Sequence, residues 1–195
     1  YVTAIKKNSV MVAILQKAND IYVGDTVVTT GFDFCGMYSK ASIGHIIDLF
    51  GNDRLIDERF EALKPIPIET DPIPIMERGT VNRPFYTGIA GIDLVYPIGY
   101  GQRQLIIGDK KSGKTQIALD TIVNQKDKNV LCIYVAVNKT KKNIKELYDS
   151  LMKKGAMEYT VIIASFSDDA PPVAYFTPYM AMSVAELYMR EGQDV

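Results

Sequence analysis

The chain has 195 residues, 47% of them hydrophobic, and its 22 basic and 23 acidic side chains leave a net charge of −1. This balance gives no sign of a nucleic-acid or membrane surface, and no apolar run approaches the roughly 20 residues that cross a bilayer. The length allows one full domain, or a small domain followed by part of a larger one.

The first 64 residues predict a small antiparallel β-barrel. Short β-rich runs at 9–15, 21–30 and 43–48 are separated by glycines, a rhythm that fits antiparallel strands better than helices. These strands are too few to close a barrel, so we expect further strands upstream of Tyr1.

A proline-rich segment follows the predicted barrel. Five prolines fall between residues 64 and 84, at positions 65, 67, 72, 74 and 84. Proline fixes its own φ angle and disfavours helix in the residue before it. We therefore predict a semi-rigid extended linker at 65–84 between two domains.

From residue 85 to 195, strand and helix patterns alternate. Apolar runs at 104–107, 130–136 and 160–164 predict buried strands, and a helical pattern follows each of them. This βαβαβα order predicts an α/β domain, a parallel sheet with helices on both faces. Three strands are few for such a sheet, so we expect residues 85–195 to be an incomplete domain.

A phosphate-binding pattern, G-x-x-x-x-G-K-[ST], lies between the first of these strands and its helix. Its residues, which we call the phosphate loop, are Gly108, Asp109, Lys110, Lys111, Ser112, Gly113, Lys114 and Thr115. The glycines let backbone N–H groups surround a phosphate chain, and the helix N-terminus adds partial positive charge. We predict that these eight residues and Gln116 bind a nucleotide; a glycine turn without a ligand is the alternative.

Two residues of the phosphate loop have specific predicted roles. Lys114 should reach the β- and γ-phosphates, and the Thr115 hydroxyl should ligate Mg²⁺. No other residue is predicted as a metal ligand.

Several segments resemble the α subunit of F-type ATP synthases. That family reads T-G-x-x-x-[IV]-D and then P-I-G-R-G-Q-R-E-L-I-I-G-D-R-Q-T-G-K-T, which residues 87–93 and 97–115 follow closely. The similarity continues at 120–125, 133–136, 156–160, 167–171 and 178–179, and includes 44–52 in the predicted barrel. Lys110 and Lys111 depart from it, because the family carries arginine and glutamine there.

The resemblance implies a RecA-like P-loop domain below a β-barrel, holding ATP or ADP with Mg²⁺ without turning it over. It implies a hexamer in which such subunits alternate with catalytic β-type subunits around a central rotor stalk. The membrane sector of a proton-transporting complex would be contacted only indirectly. The expected location is the cytoplasmic face of a bacterial membrane, or the matrix side in an organelle.

A second departure concerns catalysis. Aligning the strands puts Lys139 where catalytic subunits carry a glutamate that activates water and α subunits carry glutamine. A charged ammonium cannot accept a proton, and losing a general base costs about 10²- to 10⁴-fold in rate. We therefore assign no catalytic residue and expect little or no hydrolysis at this site.

Two other functions remain open from the sequence. One is a catalytic ATPase subunit of the same superfamily, with a base supplied from elsewhere. The other is an RNA motor resembling the terminator Rho, whose barrel should show a basic groove with exposed aromatics. The resemblance also implies that the magnesium-binding aspartate, the arginine inserted into a neighbour's site and the adenine contacts lie beyond Val195.

Overall fold

The computed structural model describes residues 1–16, 21–56 and 60–195. None of the helices in these ranges is long and apolar enough to cross a membrane. The strands and helices, in chain order, are β1 (Val2–Lys6), β2 (Ser9–Val12), β3 (Cys35–Tyr38), β4 (Ile46–Ile47), β5 (Lys64–Pro67), β6 (Pro84–Phe85), α1 (Ala90–Val95), β7 (Ile98–Gly99), α2 (Lys114–Val123), β8 (Cys132–Lys139), α3 (Lys141–Lys153), β9 (Thr160–Phe166) and α4 (Pro171–Arg190).

The centre of the fold is a three-stranded parallel sheet in the order β4, β9, β8. Strand β9 pairs with β8 along most of its length and with Ile46 and Ile47 of β4 on its other edge. All seven residues of β9 are buried, as expected for a strand covered on both faces. The predicted α/β class with a parallel sheet is confirmed.

Helices cover both faces of this sheet. On one face, which we call the α4 face, Val161 and Ile163 of β9 pack with apolar side chains of α4. On the opposite α2/α3 face, Ile162, Ala164 and Phe166 pack with side chains of α2 and α3. The alternation along β9 separates the two cores because successive strand residues point to opposite faces.

The predicted strand at 104–107 is wrong for this structure. These residues run without regular structure, and the side chains of Leu105 and Ile107 are 75% and 82% exposed. A strand needs a hydrogen-bonded neighbour as well as apolar side chains. In the described ranges, residues 104–107 pair with no strand, and the isolated bridge near the start of β8 joins Val130 to Asp194 instead.

The described part of the N-terminal region contains antiparallel pairs and no closed barrel. Strands β1 and β2 form one hairpin, and β3 pairs separately with β5. Residues 21–30, predicted to be β-rich, contain no strand. The run at 43–48 contributes β4 to the central sheet, not to the N-terminal pairs. The barrel itself stays a prediction.

Strand β5 begins in the proline-rich segment. Pro65 and Pro67 lie opposite Met37 and Cys35 of β3, which places both prolines in a two-stranded sheet where every strand is an edge. Beyond β5, residues 68–83 are irregular apart from a short 3₁₀ turn at Ile75–Glu77. The boundaries of the linker at 65 and 84, and those of the two domains, stay predictions.

Candidate phosphate-binding site

The phosphate loop forms an open turn before α2, as its glycines predict. Gly113 is the N-cap of α2 with φ = 90°, a left-handed conformation that glycine adopts without strain. No side chain caps this helix end, and its first turn carries no acidic residue. The first backbone N–H groups of a helix have no partner within the helix. The start of α2 therefore offers free donors and partial positive charge to an anion.

Lys114 lies across the phosphate loop. Its Nζ donates to the backbone carbonyl of Gly108 at 2.6 Å and to the hydroxyl of Ser112 at 3.2 Å, and it also contacts the carbonyl of Asp109. These neutral acceptors leave the ammonium charge uncompensated. The lysine is thus held at the loop with its charge available for a phosphate.

The loop turns back on Gly108, so a larger residue there would force the Ser112 side chain to move. A Cβ atom there would lie 2.7 Å from the Ser112 hydroxyl oxygen, which is closer than real Cβ contacts. Lys111 also adopts a left-handed conformation, with φ = 66°, which costs a residue with a Cβ of the order of 1 kcal/mol. Asp109, Lys110 and Lys111 are exposed.

Thr115 and Gln116 occupy the exposed first turn of α2. The Gln116 side chain donates to the Asp120 carboxylate at 2.8 Å, so its contribution to a phosphate site is its backbone N–H. No cluster of three or more metal-binding His, Cys, Asp or Glu side chains occurs within residues 1–16, 21–56 and 60–195. The predicted Mg²⁺ site therefore rests on the Thr115 hydroxyl together with phosphate oxygens of a bound nucleotide.

A second motif, Thr87–Gly88 with Asp93, anchors the far end of α2. The Asp93 carboxylate accepts hydrogen bonds from the Thr87 hydroxyl at 2.7 Å and from the backbone N–H groups of Thr87 and Gly88, both at 2.9 Å. These bonds, the Thr87 hydroxyl first, lower the pKa of Asp93. Asn124, just after α2, donates to the Thr87 carbonyl at 2.9 Å. The motif thus fixes the helix that carries the phosphate loop, a role that the sequence analysis missed.

Replacing Gly88 with alanine should destabilise this anchor by about 2 to 3 kcal/mol. Gly88 has φ = 77°, and a Cβ there would lie 2.2 Å from Asn124 Nδ2. The left-handed conformation costs alanine about 1 to 2 kcal/mol, and the lost Asn124 hydrogen bond adds about 1 kcal/mol. Urea unfolding of the full-length protein measures the change in the free energy of unfolding.

Gly91 is the matched control for this substitution. It lies three residues further on, in α1, and a Cβ there meets nothing within 4 Å. Alanine at 91 should be neutral or stabilising by up to about 1 kcal/mol, because it improves helix propensity. Equal effects of the two substitutions would contradict the anchoring role.

Lys139, the residue predicted to replace the catalytic acid, ends β8 just beyond a bulge. Ala136 pairs with Ala164 of β9, but the next pair joins Lys139 to Phe166, so Val137 and Asn138 together oppose one residue of β9. Asn138 has φ = 52°, and its N–H donates to the hydroxyl of Ser165 at 3.0 Å. A bulge of this kind re-aims the residues that follow it.

Comparisons with known proteins agree with this architecture. A family model for the ATP synthase alpha/beta family, nucleotide-binding domain, matches residues 88–195. ATP synthase subunit alpha of Acetivibrio thermocellus is 41% identical over 192 residues, which cover 98% of this chain and 38% of the relative. The corresponding subunits of Lactobacillus delbrueckii subsp. bulgaricus and Limosilactobacillus fermentum are 38% and 39% identical, over 98% of this chain and 38% and 37% of the relatives.

The chain therefore spans less than two fifths of the length of these relatives, although they match it almost from end to end. The match covers the uncapped phosphate loop, its anchoring motif and the parallel sheet. On these grounds the chain belongs to the ATP synthase alpha/beta family, as a protein of the alpha type.

Proposed function

We propose that the chain is the nucleotide-binding part of a noncatalytic alpha-type subunit of an F-type rotary ATP synthase or ATPase. It binds ATP or ADP with Mg²⁺ as a structural ligand. The observation that carries this proposal is the start of α2, where a helix end without a side-chain cap or an acidic residue follows a glycine turn that holds Lys114. Free N–H donors, a helix dipole and an ammonium group together favour a phosphate chain.

The noncatalytic role is supported by the residue at the end of β8. Activation of water at a γ-phosphate needs a proton acceptor or an oriented amide, and Lys139 offers neither. Glu146, an acid further along the chain, lies on the exposed side of α3 and is 3.9 Å from Lys142 in an i, i+4 pair. Its exposed place on α3 gives it no role at the phosphate loop. This argues against the alternative of a catalytic subunit.

The partners follow from the family. In the proposed assembly, alpha-type chains alternate with catalytic beta-type chains in a hexamer around a central rotor stalk, and the membrane sector is contacted only indirectly. The complex would lie peripherally on the cytoplasmic face of a bacterial membrane, or on the matrix side in an organelle. In this arrangement the bound nucleotide stabilises the interface at which the beta-type chain performs catalysis.

An RNA motor of the Rho type has one feature in its favour. The side chains of Tyr22 and Phe32 are 69% and 87% exposed, as aromatic residues that stack on bases would be. However, the sequence has no arginine before Arg54, and a groove for single-stranded RNA needs a positively charged track beside its aromatics. We therefore prefer the rotary-ATPase function.

The proposal is tested with the full-length protein, first alone and then assembled with its beta-type partner. Calorimetric titration should show one nucleotide bound per chain in the presence of Mg²⁺. A second experiment uses assemblies whose beta-type sites have been inactivated by mutation. Radiolabelled ATP bound to this chain should remain unhydrolysed in them for a time in which an unmodified complex completes many turnovers. Absence of binding would contradict the nucleotide site, and hydrolysis would contradict its noncatalytic role.

A further inference from the structure

A cavity of about 460 Å³ lies beside the residues that follow the C-terminal end of α2, whereas the phosphate loop precedes the N-terminal end. We call it the α2-end cavity. Its apolar lining consists of Ile43, Val130 and Leu131, of which the last two are buried. Its polar lining consists of Gln125, Asp127, Asn129, Glu158, Tyr159 and Gln193. The cavity thus offers an apolar wall beside several polar side chains.

The charged side chains that line the α2-end cavity are both acidic. Asp127 and Glu158 are exposed, and neither forms an ion pair within residues 1–16, 21–56 and 60–195. Lys128, the next cation along the chain, donates instead to the Tyr86 carbonyl at 3.4 Å. Among the described residues, the lining therefore carries two negative charges and no lysine or arginine.

Tyr159 shows that both acids act on the same space. Its hydroxyl donates to two backbone carbonyls at the end of α2, both at 3.2 Å. Burial raises the pKa of this hydroxyl, and the neighbouring Cys132, Asp127 and Glu158 raise the pKa further. The two carboxylates thus create a negative potential around the Tyr159 ring, which lines the cavity. Such a potential favours a cationic ligand.

Gln125 adds a buried acceptor that has no donor. The residue lines the cavity and is only 1% exposed. Its side-chain nitrogen donates to the carbonyls of Tyr86 at 3.0 Å and Thr121 at 2.9 Å. Its Oε1 has no hydrogen-bond partner in the described part of the chain. The amide cannot be turned over, because Oε1 would then face two other acceptors. An unpaired buried acceptor is unfavourable, and a donor that enters from the cavity would satisfy it.

We infer that the α2-end cavity binds an alkyl ammonium group. Its N–H groups donate to Gln125 Oε1 and to the carboxylates of Asp127 and Glu158, and its methylene chain packs on the apolar wall. An ammonium group has three donors and no acceptor, which matches a lining whose unpaired groups are acceptors. A metal ion fits less well, because the described residues hold no cluster of three metal-binding acids, histidines or cysteines and a metal would leave the apolar wall unused.

The test titrates 1,4-diaminobutane into the full-length protein, without nucleotide, by calorimetry. One molecule should bind per chain. Asp127→Asn and Glu158→Gln should each weaken binding by about 5-fold, as expected for an exposed carboxylate paired with an ammonium group. Asp149→Asn is the matched control, because Asp149 is an exposed acid on α3 that does not line the cavity. Its affinity should stay within about 2-fold of the wild type.

The acceptor on Gln125 is tested with a second ligand, the diamine in which both nitrogens carry three methyl groups. This analogue keeps both charges but has no N–H donor, so it should bind about 10-fold more weakly than the diamine. In Gln125→Met, which removes Oε1, the diamine should lose this advantage over the analogue. Urea unfolding shows whether that variant is folded. Equal binding of the two ligands by the wild type would overturn the inference without any variant.

The ammonium group has two possible sources, a free amine or a lysine of a neighbouring chain. If a neighbour's lysine fills the cavity, the diamine should bind the isolated full-length chain but not its assembly with the beta-type partner. If the ligand is a free amine, the diamine should bind both. Absence of binding to the isolated chain, or equal losses in Asp149→Asn and Glu158→Gln, would overturn the inference. The proposed nucleotide function is tested separately, because these titrations contain no nucleotide.

Discussion

Lys114→Ala should weaken binding of MgATP to the full-length protein by about 100-fold or more. The variant removes the ammonium that the loop holds on the Gly108 carbonyl and the Ser112 hydroxyl. In a bound state this group donates to more than one phosphate oxygen, and each hydrogen bond between charged groups contributes about 1.5 to 3 kcal/mol. Two such bonds account for the expected loss. Calorimetry with MgATP and MgADP measures it.

Lys126→Ala is the control for this experiment. Lys126 is exposed and lies just past the opposite end of α2, so its removal changes the net charge equally without touching the phosphate loop. Its affinity for MgATP should stay within about 2-fold of the wild type, because charges separated by more than about 10 Å are largely screened at ordinary salt. Similar losses in the two variants would show that net charge, and not the loop, governs binding.

Gly51→Ala should lower the free energy of unfolding by about 2 to 5 kcal/mol. Gly51 has φ = 74°, and a Cβ there would lie 2.7 Å from the Met37 carbonyl oxygen and 2.6 Å from Leu63 Cδ2. The backbone oxygen cannot move freely, because β3 is paired with β5. The left-handed conformation costs about 1 to 2 kcal/mol, and forcing the neighbouring groups apart adds about 1 to 3 kcal/mol.

Gly155→Ala separates these two contributions. Gly155 follows α3 with φ = 69°, and a Cβ there meets nothing within 4 Å. This variant should show the conformational cost alone, about 1 to 2 kcal/mol. Urea unfolding of both full-length variants provides the comparison. If Gly51→Ala were no more destabilising than Gly155→Ala, the close approach of Gly51 to β3 would not contribute to the loss of stability.

The sequence predicted best those elements whose signal is local. Strands β8 and β9 are continuous apolar runs, and α3 has an apolar stripe opposite its lysines, so their positions could be read directly. The run at 104–107 carries the same apolar signal, yet it forms no strand. Pairing depends on a neighbour in space, and the side chains of a single segment do not contain that information.

The same distinction holds for β4. Its two residues, Ile46 and Ile47, are too short a run to distinguish a barrel strand from a strand of the central sheet. Only their pairing with Ile162 and Ile163 assigns them. Sequence reasoning grouped residues 43–48 with their neighbours along the chain because short antiparallel strands commonly pair with adjacent ones.

The candidate site divides in a similar way. The phosphate loop could be predicted because its glycines, lysine and threonine act within eight consecutive residues. The face occupied by Lys139 could not, since it depends on a bulge whose existence is set by the register between β8 and β9. Asparagine adopts a left-handed conformation more readily than most residues, so its presence in a strand is compatible with a bulge. Only the pairing with β9 shows that the bulge exists.

The pairing of β4 with β9 has a practical consequence for anyone excising the nucleotide-binding region. A fragment that starts at residue 88, where the family match begins, would leave the outer edge of β9 without Ile46 and Ile47. Unpaired backbone N–H and C=O groups along such an apolar strand can pair with strands of other chains and cause aggregation. A fragment that keeps this pairing must therefore reach back past the proline-rich segment to residue 46.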